Sequence, residues 1–306
     1  MHTSHPLLPT FTLVCGRQRV VVADPRPDPL ALGARYCHGG YVLEWWHGDR
    51  LLTGGPQPHW DRFDGRGLPE TFELALGWAQ AREGDEVLRI GAGRMRKTDR
   101  DVREISCRAP LCGTVTWEVV EHGADRVVMR CADGIDCQDF PLRYQLERTI
   151  VLTDDGLTSS TRLELLARPV GYALVTWFAH PFFAHSRLTA SSLHLPASGT
   201  PTARPPGGPG GFFGPELIRD AGRWRFEKDA IGARTAIAGL WGGTHAGRIH
   251  LDPNCGSGVV SLDLDRPLDH VVIWGNDHVI SLEPKLARTW LSSESAAWTL
   301  RYQLNA

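Results

Sequence analysis

A two-residue rhythm of apolar and polar side chains runs through most of this chain and restricts the backbone to strands with one buried face. Val115, Trp117 and Val119 alternate with Thr114, Thr116 and Glu118. Val260, Leu262 and Leu264 alternate with Ser261, Asp263 and Asp265; Trp298, Leu300, Tyr302 and Leu304 alternate with Thr299, Arg301 and Gln303. Successive side chains of a strand point to opposite faces, so each run predicts a strand packed on one side only. Asp154-Asp155-Gly156, between two such runs, predicts a hairpin, because glycine accepts the positive φ of a tight turn. Only residues 74–82 have a helical pattern, and Gly77 interrupts it. Many short strands separated by turn residues predict an all-β antiparallel sandwich or barrel. There is no internal repeat. The one low-complexity stretch, 199–213, is too rich in Gly and Pro to be a central strand. It predicts a surface loop, and its place after the strand leading to His180 also suits a lid.

Composition narrows the function classes. The chain has 306 residues, of which 42% are hydrophobic. A single domain spanning 1–306 is expected, since large β-sandwiches run to this length as one unit. The formal charge of −2 lacks the basic excess of a non-specific nucleic-acid binder. The first six residues show no basic segment leading into an apolar core, and no apolar run approaches the ~20 residues needed to span a bilayer. The seven cysteines, at 15, 37, 107, 112, 131, 137 and 255, form no CxxC pair. Reduced thiols in a cytoplasmic protein are expected; Cys131 and Cys137 would be the pair to bridge in an exported one.

Two segments hold residues suited to acid–base work. His180 lies in Trp177-Phe178-Ala179-His180-Pro181-Phe182-Phe183, and Glu283 in Ile280-Ser281-Leu282-Glu283-Pro284. An imidazole titrates near neutrality and can give and recover a proton. A glutamate desolvated among aromatic rings gains basicity. Taken alone, His180 reads equally as a core histidine satisfied by a carbonyl, and Glu283 as a strand-end surface group. Apolar sugar faces stack on aromatic rings, which makes Trp177, Trp241 and Trp274 candidate platforms among eleven tryptophans, most of them expected in the core. His245/His250 and His180/His185 are each five apart. An odd separation sends strand side chains to opposite faces, so no metal site is expected. Neither a Gly-x-Ser-x-Gly nucleophile motif nor a phosphate or dinucleotide loop occurs, and no cofactor is expected.

The His-Pro-aromatic and Glu-Pro segments resemble those of the aldose 1-epimerase (galactose mutarotase-like) family. Gly39-Gly40 with 42–46 and 51–52, Asp64 to Phe72, Arg89 to Arg94, and the closing Trp298, Arg301 and Tyr302 resemble it in order and spacing. The resemblance implies an antiparallel β-supersandwich and a sugar or sugar derivative as the small-molecule partner. It also implies a monomer or homodimer, with no nucleic-acid or membrane partner. It makes His180 the general acid and Glu283 the general base. Arg94 becomes a sugar ligand, with Arg89 competing for that assignment. His245 is the nearest polar group to the family's aspartate ligand, and Trp274 the best-placed platform. The family's second active-site histidine is replaced by 107–113, where no histidine stands. The implied reaction is anomer interconversion. The alternatives are a lyase or pathway-specific isomerase on a sugar-derived metabolite, and a non-catalytic carbohydrate-binding module.

Overall fold

The structure is a computed structural model that describes residues 8–99, 110–137, 140–167, 173–195, 202–203, 217–221, 223–229, 237–245, 248–254, 259–290 and 295–305. The chain opens with β1 (Thr10–Cys15), β2 (Gln18–Ala23), β3 (Val42–His47) and β4 (Arg50–Leu51), a four-stranded sheet in that order. Next come β5 (Glu70–Phe72), then β6 (Glu86–Arg89), β7 (Gly93–Arg96) and β8 (Gly113–Thr114); the last three form a small sheet. Four longer strands follow: β9 (Trp117–His122), β10 (Arg126–Cys137), β11 (Phe140–Thr153) and β12 (Gly156–Ala167). After them run β13 (Ala173–Ala179), β14 (Phe183–Ala184), β15 (Ser192–His194), β16 (Thr202–Ala203), β17 (Leu217–Asp220) and β18 (Arg223–Phe226). The chain closes with β19 (Ile237–His245), β20 (Arg248–Asp252), β21 (Val259–Leu264), β22 (Leu268–Gly275), β23 (Val279–Trp290) and β24 (Ser295–Asn305).

Two large antiparallel sheets make the body. One has ten strands in the order β17-β18-β15-β20-β21-β24-β12-β11-β10-β9. The other runs β16-β19-β22-β23-β13-β5, with β14 also pairing β23. The alternation expected from sequence holds where it is strongest: Val115 and Trp117 are buried while Thr114, Thr116 and Glu118 are exposed. The sheets meet through large aromatics. Trp177 of β13 lies edge-on to Trp298 of β24, with ring centroids 5.5 Å apart, and Phe183 of β14 meets Tyr302 at 6.1 Å. The hairpin expected at Asp154-Asp155-Gly156 joins β11 to β12, with Thr153 opposite Gly156.

Residues 74–82 form turns, not a helix: Gly77 takes φ +86°, and Ala81 N donates back to its carbonyl. Of the 199–213 loop, only Thr202 and Ala203 are described, as β16 beside β19, and the lid reading lies outside the described residues. Cys131 is a free buried thiol. Among the described residues no helix is long and apolar enough to cross a membrane.

Candidate active site

The site begins with strand register. Glu283 stands on β23 opposite Val272 of β22, and on the other side Phe178 of β13 faces Lys285. Continuing that antiparallel register brings His180, the first residue after β13, across from Glu283. Alternation then sorts the side chains: Ser281, Glu283, Lys285, Phe178 and His180 share one face, while Trp177 and Leu282 take the other, in the main core. The His-Pro-aromatic segment is tied down by its backbone. His180 N donates to Pro69 O at 2.8 Å, and Phe182 N to Gly67 O at 2.8 Å. Gly67 has φ +71°, and a Cβ there would collide with the carbonyls of Val42 and Leu43, so this close approach requires glycine. Asn276 organises the β22–β23 turn. Its Oδ1 accepts from the N–H groups of His278 and Val279, and its Nδ2 donates to Pro56 O.

His180 Nε2 lies 3.2 Å from Glu283 Oε1. The indole N–H of Trp274 donates to the same carboxylate oxygen. Ser281 Oγ stands 3.5 Å from His180 Nδ1. Aromatic rings enclose the imidazole: Phe182 at 4.4 Å, Trp274 at 5.5 Å, Phe178 at 5.9 Å and Tyr36 at 6.1 Å between centroids. His180 and Glu283 are only 4% and 6% exposed. Burial pushes His180 well below the ordinary imidazole value, and the nearby Arg35 and Lys285 cations push it the same way. These surroundings favour a neutral imidazole beside Glu283. Such a pair can take and return protons with little water to intercept them.

The fold thus brings together His180, Glu283 and Trp274. Trp274 contributes its N–H to the carboxylate, a contact that a stacking argument does not anticipate. Trp177 is corrected to a core residue: it is 2% exposed, and its N–H donates to Glu70 Oε2 at 2.9 Å, on the face away from His180. Arg94 is engaged on the small sheet, where it donates to Asp133 at 2.7 Å and lies 3.8 Å from Glu86. Arg89 is buried and donates to backbone carbonyls of Ala34, Arg35 and Glu73. His245 pairs in register with Leu268, and its side chain, like that of Trp241, lies outside the described residues. Ser281 and Lys285 were missed by sequence reasoning, although counting by twos from Glu283 reaches both. Arg35 and Tyr36 sit between β2 and β3 in a segment with no motif of its own.

No family model matches the chain, and no curated protein matches it in sequence. Solved structures do match over nearly the whole length. A candidate aldose 1-epimerase of Escherichia coli K12 superposes with a TM-score of 0.62 at 13% identity, covering 97% of this chain and 99% of its own. The Slr1438 protein of Synechocystis gives 0.61 at 14%, covering 99% of each chain. A galactose mutarotase-like protein of Lactobacillus casei gives 0.60 at 15%, covering 97% of this chain and 100% of its own. The antiparallel sheets, their packing and these superpositions agree: the chain has the galactose mutarotase-like fold.

Proposed function

We propose that this chain is a carbohydrate isomerase that interconverts sugar anomers, with Glu283 as general base and His180 as general acid. The observation that carries the reading is the 3.2 Å contact between His180 Nε2 and Glu283 Oε1 on a buried, aromatic-walled sheet face. Glu283 takes the proton of the anomeric hydroxyl while protonated His180 gives one to the ring oxygen. The bond from the anomeric carbon to the ring oxygen breaks and a carbonyl forms. Rotation about the adjacent carbon–carbon bond exposes the other carbonyl face. The reverse transfers close the ring and restore both groups. The Trp274 N–H on Glu283 Oε1 supports this role by fixing the carboxylate. The names of the fold neighbours point the same way, but a fold hosts many activities, so they weigh less than the geometry.

A non-catalytic binding module would be favoured by His180 and Glu283 pointing apart, and their contact argues against it. A lyase or another isomerase would remove a proton from carbon, which deuterium wash-in from solvent detects and anomer exchange alone does not produce. The deciding experiment is anomer exchange followed by NMR on a panel of aldoses and sugar derivatives, wild type beside Glu283→Gln. Acceleration by the wild type and its loss in the folded variant are expected. Exchange that survives the substitution would sink the mechanism.

A further inference from the structure

Ser281 and Glu283 lie two residues apart on β23, so alternation gives them one face, and the His180 ring spans both. The two ring nitrogens have different neighbours. Nε2 lies 3.2 Å from Glu283 Oε1, and Nδ1 lies 3.5 Å from Ser281 Oγ. Ser281 has no exposed surface, and its hydroxyl has no other hydrogen-bond partner among the described residues. The backbone carbonyl of His180 is also within reach of the ring.

Charge then sorts the protons. A carboxylate only accepts, and Glu283 Oε1 already accepts from the Trp274 N–H. A neutral imidazole must therefore turn Nε2–H toward it, because a bare Nε2 would set two lone pairs against each other. Nδ1 of that tautomer is an acceptor, and the Ser281 O–H is the side-chain donor placed to meet it. A hydroxyl also accepts. Rotation about its Cβ–Oγ bond lets the same oxygen receive Nδ1–H once the ring gains a second proton.

We propose that Ser281 is a positioning residue for His180: its hydroxyl donates to Nδ1 of the neutral ring, which keeps the proton on Nε2, and turns to accept from Nδ1 when the ring is charged. The catalytic consequence rests on reading the His180–Glu283 pair as an isomerase site; the hydrogen bond itself does not. In that reaction the imidazolium gives its Nε2 proton to the sugar ring oxygen and is left neutral, with Nδ1–H on Ser281 Oγ. The reverse transfer returns the proton to Nε2, and the serine proton never leaves its oxygen. Without the hydroxyl, the charged ring would carry an unmatched buried N–H, which disfavours it.

The test reads the two ring nitrogens of His180 by long-range proton–nitrogen NMR on protein labelled at histidine, at neutral pH, with His180→Gln for assignment. The variants are Ser281→Ala and Ser281→Thr, and thermal melting checks that each folds. Ser281→Cys, a weaker donor of similar size, replaces an alanine variant that does not fold. The wild type is expected to hold its proton on Nε2. Ser281→Ala should move the Nδ1 resonance downfield, toward that of an imine nitrogen without a donor, and Ser281→Thr should restore it. In anomer exchange, Ser281→Ala should shift the descending limb of kcat/KM down by about one pH unit, the margin of a charge-assisted over a neutral hydrogen bond. The titratable groups around the ring are Glu283 and Lys285 of β23 and Arg35 and Tyr36 of the segment between β2 and β3. None of them is altered in these variants, so a moved limb reports Ser281. A proton on Nδ1 in the wild type, or the same Nδ1 resonance with and without the hydroxyl, would overturn the inference while exchange lost in Glu283→Gln left the isomerase reading standing. A limb that stays in place although Nδ1 moves would overturn it too, since the hydroxyl would do nothing for the charged ring. A moved Nδ1 resonance in a protein that exchanges no sugar would support the hydrogen bond and sink the isomerase reading.

Discussion

His180 sets the pH range in which the proposed chemistry can run. As general acid it must be protonated when the sugar is bound. Burial and the Arg35 and Lys285 cations hold its pKa well below the ordinary 6.5. The protonated fraction in the free enzyme therefore falls as pH rises through that depressed value. The expected profile of kcat/KM has its descending limb below pH 6.5. Lys285→Met, which removes one of the depressing charges, should move the limb upward. A wild-type limb at or above pH 6.5 in anomer-exchange assays would reject His180 as the acid. Trp274 admits an equally direct test. Phenylalanine keeps an aromatic face for stacking but loses the N–H that holds Glu283 Oε1. Trp274→Phe is expected to lower kcat by about tenfold or more, the scale of a hydrogen bond to a charged group. A loss confined to KM would return Trp274 to the role of a stacking platform.

At the scale of elements, a buried ion pair ties the sheets together. Glu70 of β5 meets Arg148 of β11 at 2.6 Å, both almost fully buried. Ser159 of β12 accepts from Arg148 at 2.8 Å, Thr161 accepts from the same guanidinium, and Trp177 of β13 donates to Glu70. The network thus links two strands of the seven-stranded sheet to two of the ten-stranded one. Removing one partner of such a pair leaves an uncompensated buried charge. Arg148→Met is expected to cost about 3–5 kcal/mol in urea denaturation. A loss below about 1 kcal/mol would mean that Glu70 finds other compensation. The network also explains what the sequence could reveal. Period-two runs exposed the long strands, because one wet face and one dry face leave a regular trace. β5 and β14, at three and two residues, are too short to carry a period. The turns at 74–82 imitated a helix until Gly77 took its positive φ. In the site, His180 and Glu283 were visible through their flanking prolines. Trp177 and His180 looked equally eligible because they lie three residues apart, and only alternation on β13 separates their faces. Arg35 left no local signal, since its placement depends on Arg89, which lies 54 residues away in sequence.

For the whole molecule, the four sheets meet at the short segment from Cys37 to Tyr41. Cys37 N donates to Glu70 O of the seven-stranded sheet, and His38 N to Gly91 O in the small sheet's hairpin. Gly39 lies against the Trp117 ring of the ten-stranded sheet, where a Cβ would clash, and Tyr41 O accepts from Ala23 N of the four-stranded one. His38 sits at this junction with no exposed surface. Its Nε2 is 2.6 Å from Gly33 O, so Nε2 bears the proton, and its buried Nδ1 has no hydrogen-bond partner among the described residues. A second proton would place a charged, unmatched donor in the core, and burial pushes the His38 pKa down to about 4. Between pH 6.5 and about 4 the unfolded chain binds this proton and the folded chain does not, so stability is full above 6.5 and declines as pH falls. Across 2.5 pKa units His38 alone should remove on the order of 3 kcal/mol, a large share of the roughly 5–15 kcal/mol that holds a typical domain together. His180 and His185 are depressed in the same direction and steepen the loss. The carboxylates that titrate low, Asp24 and Asp229, lose their contribution only below 3.8, so the windows separate. A urea series from pH 7.5 to 4.5 should show the midpoint falling steadily, and His38→Gln should flatten that slope even though it starts from a lower value. A wild-type midpoint that stays level over this range would mean that the junction opens to admit the charge, and that the four sheets are not locked together through His38.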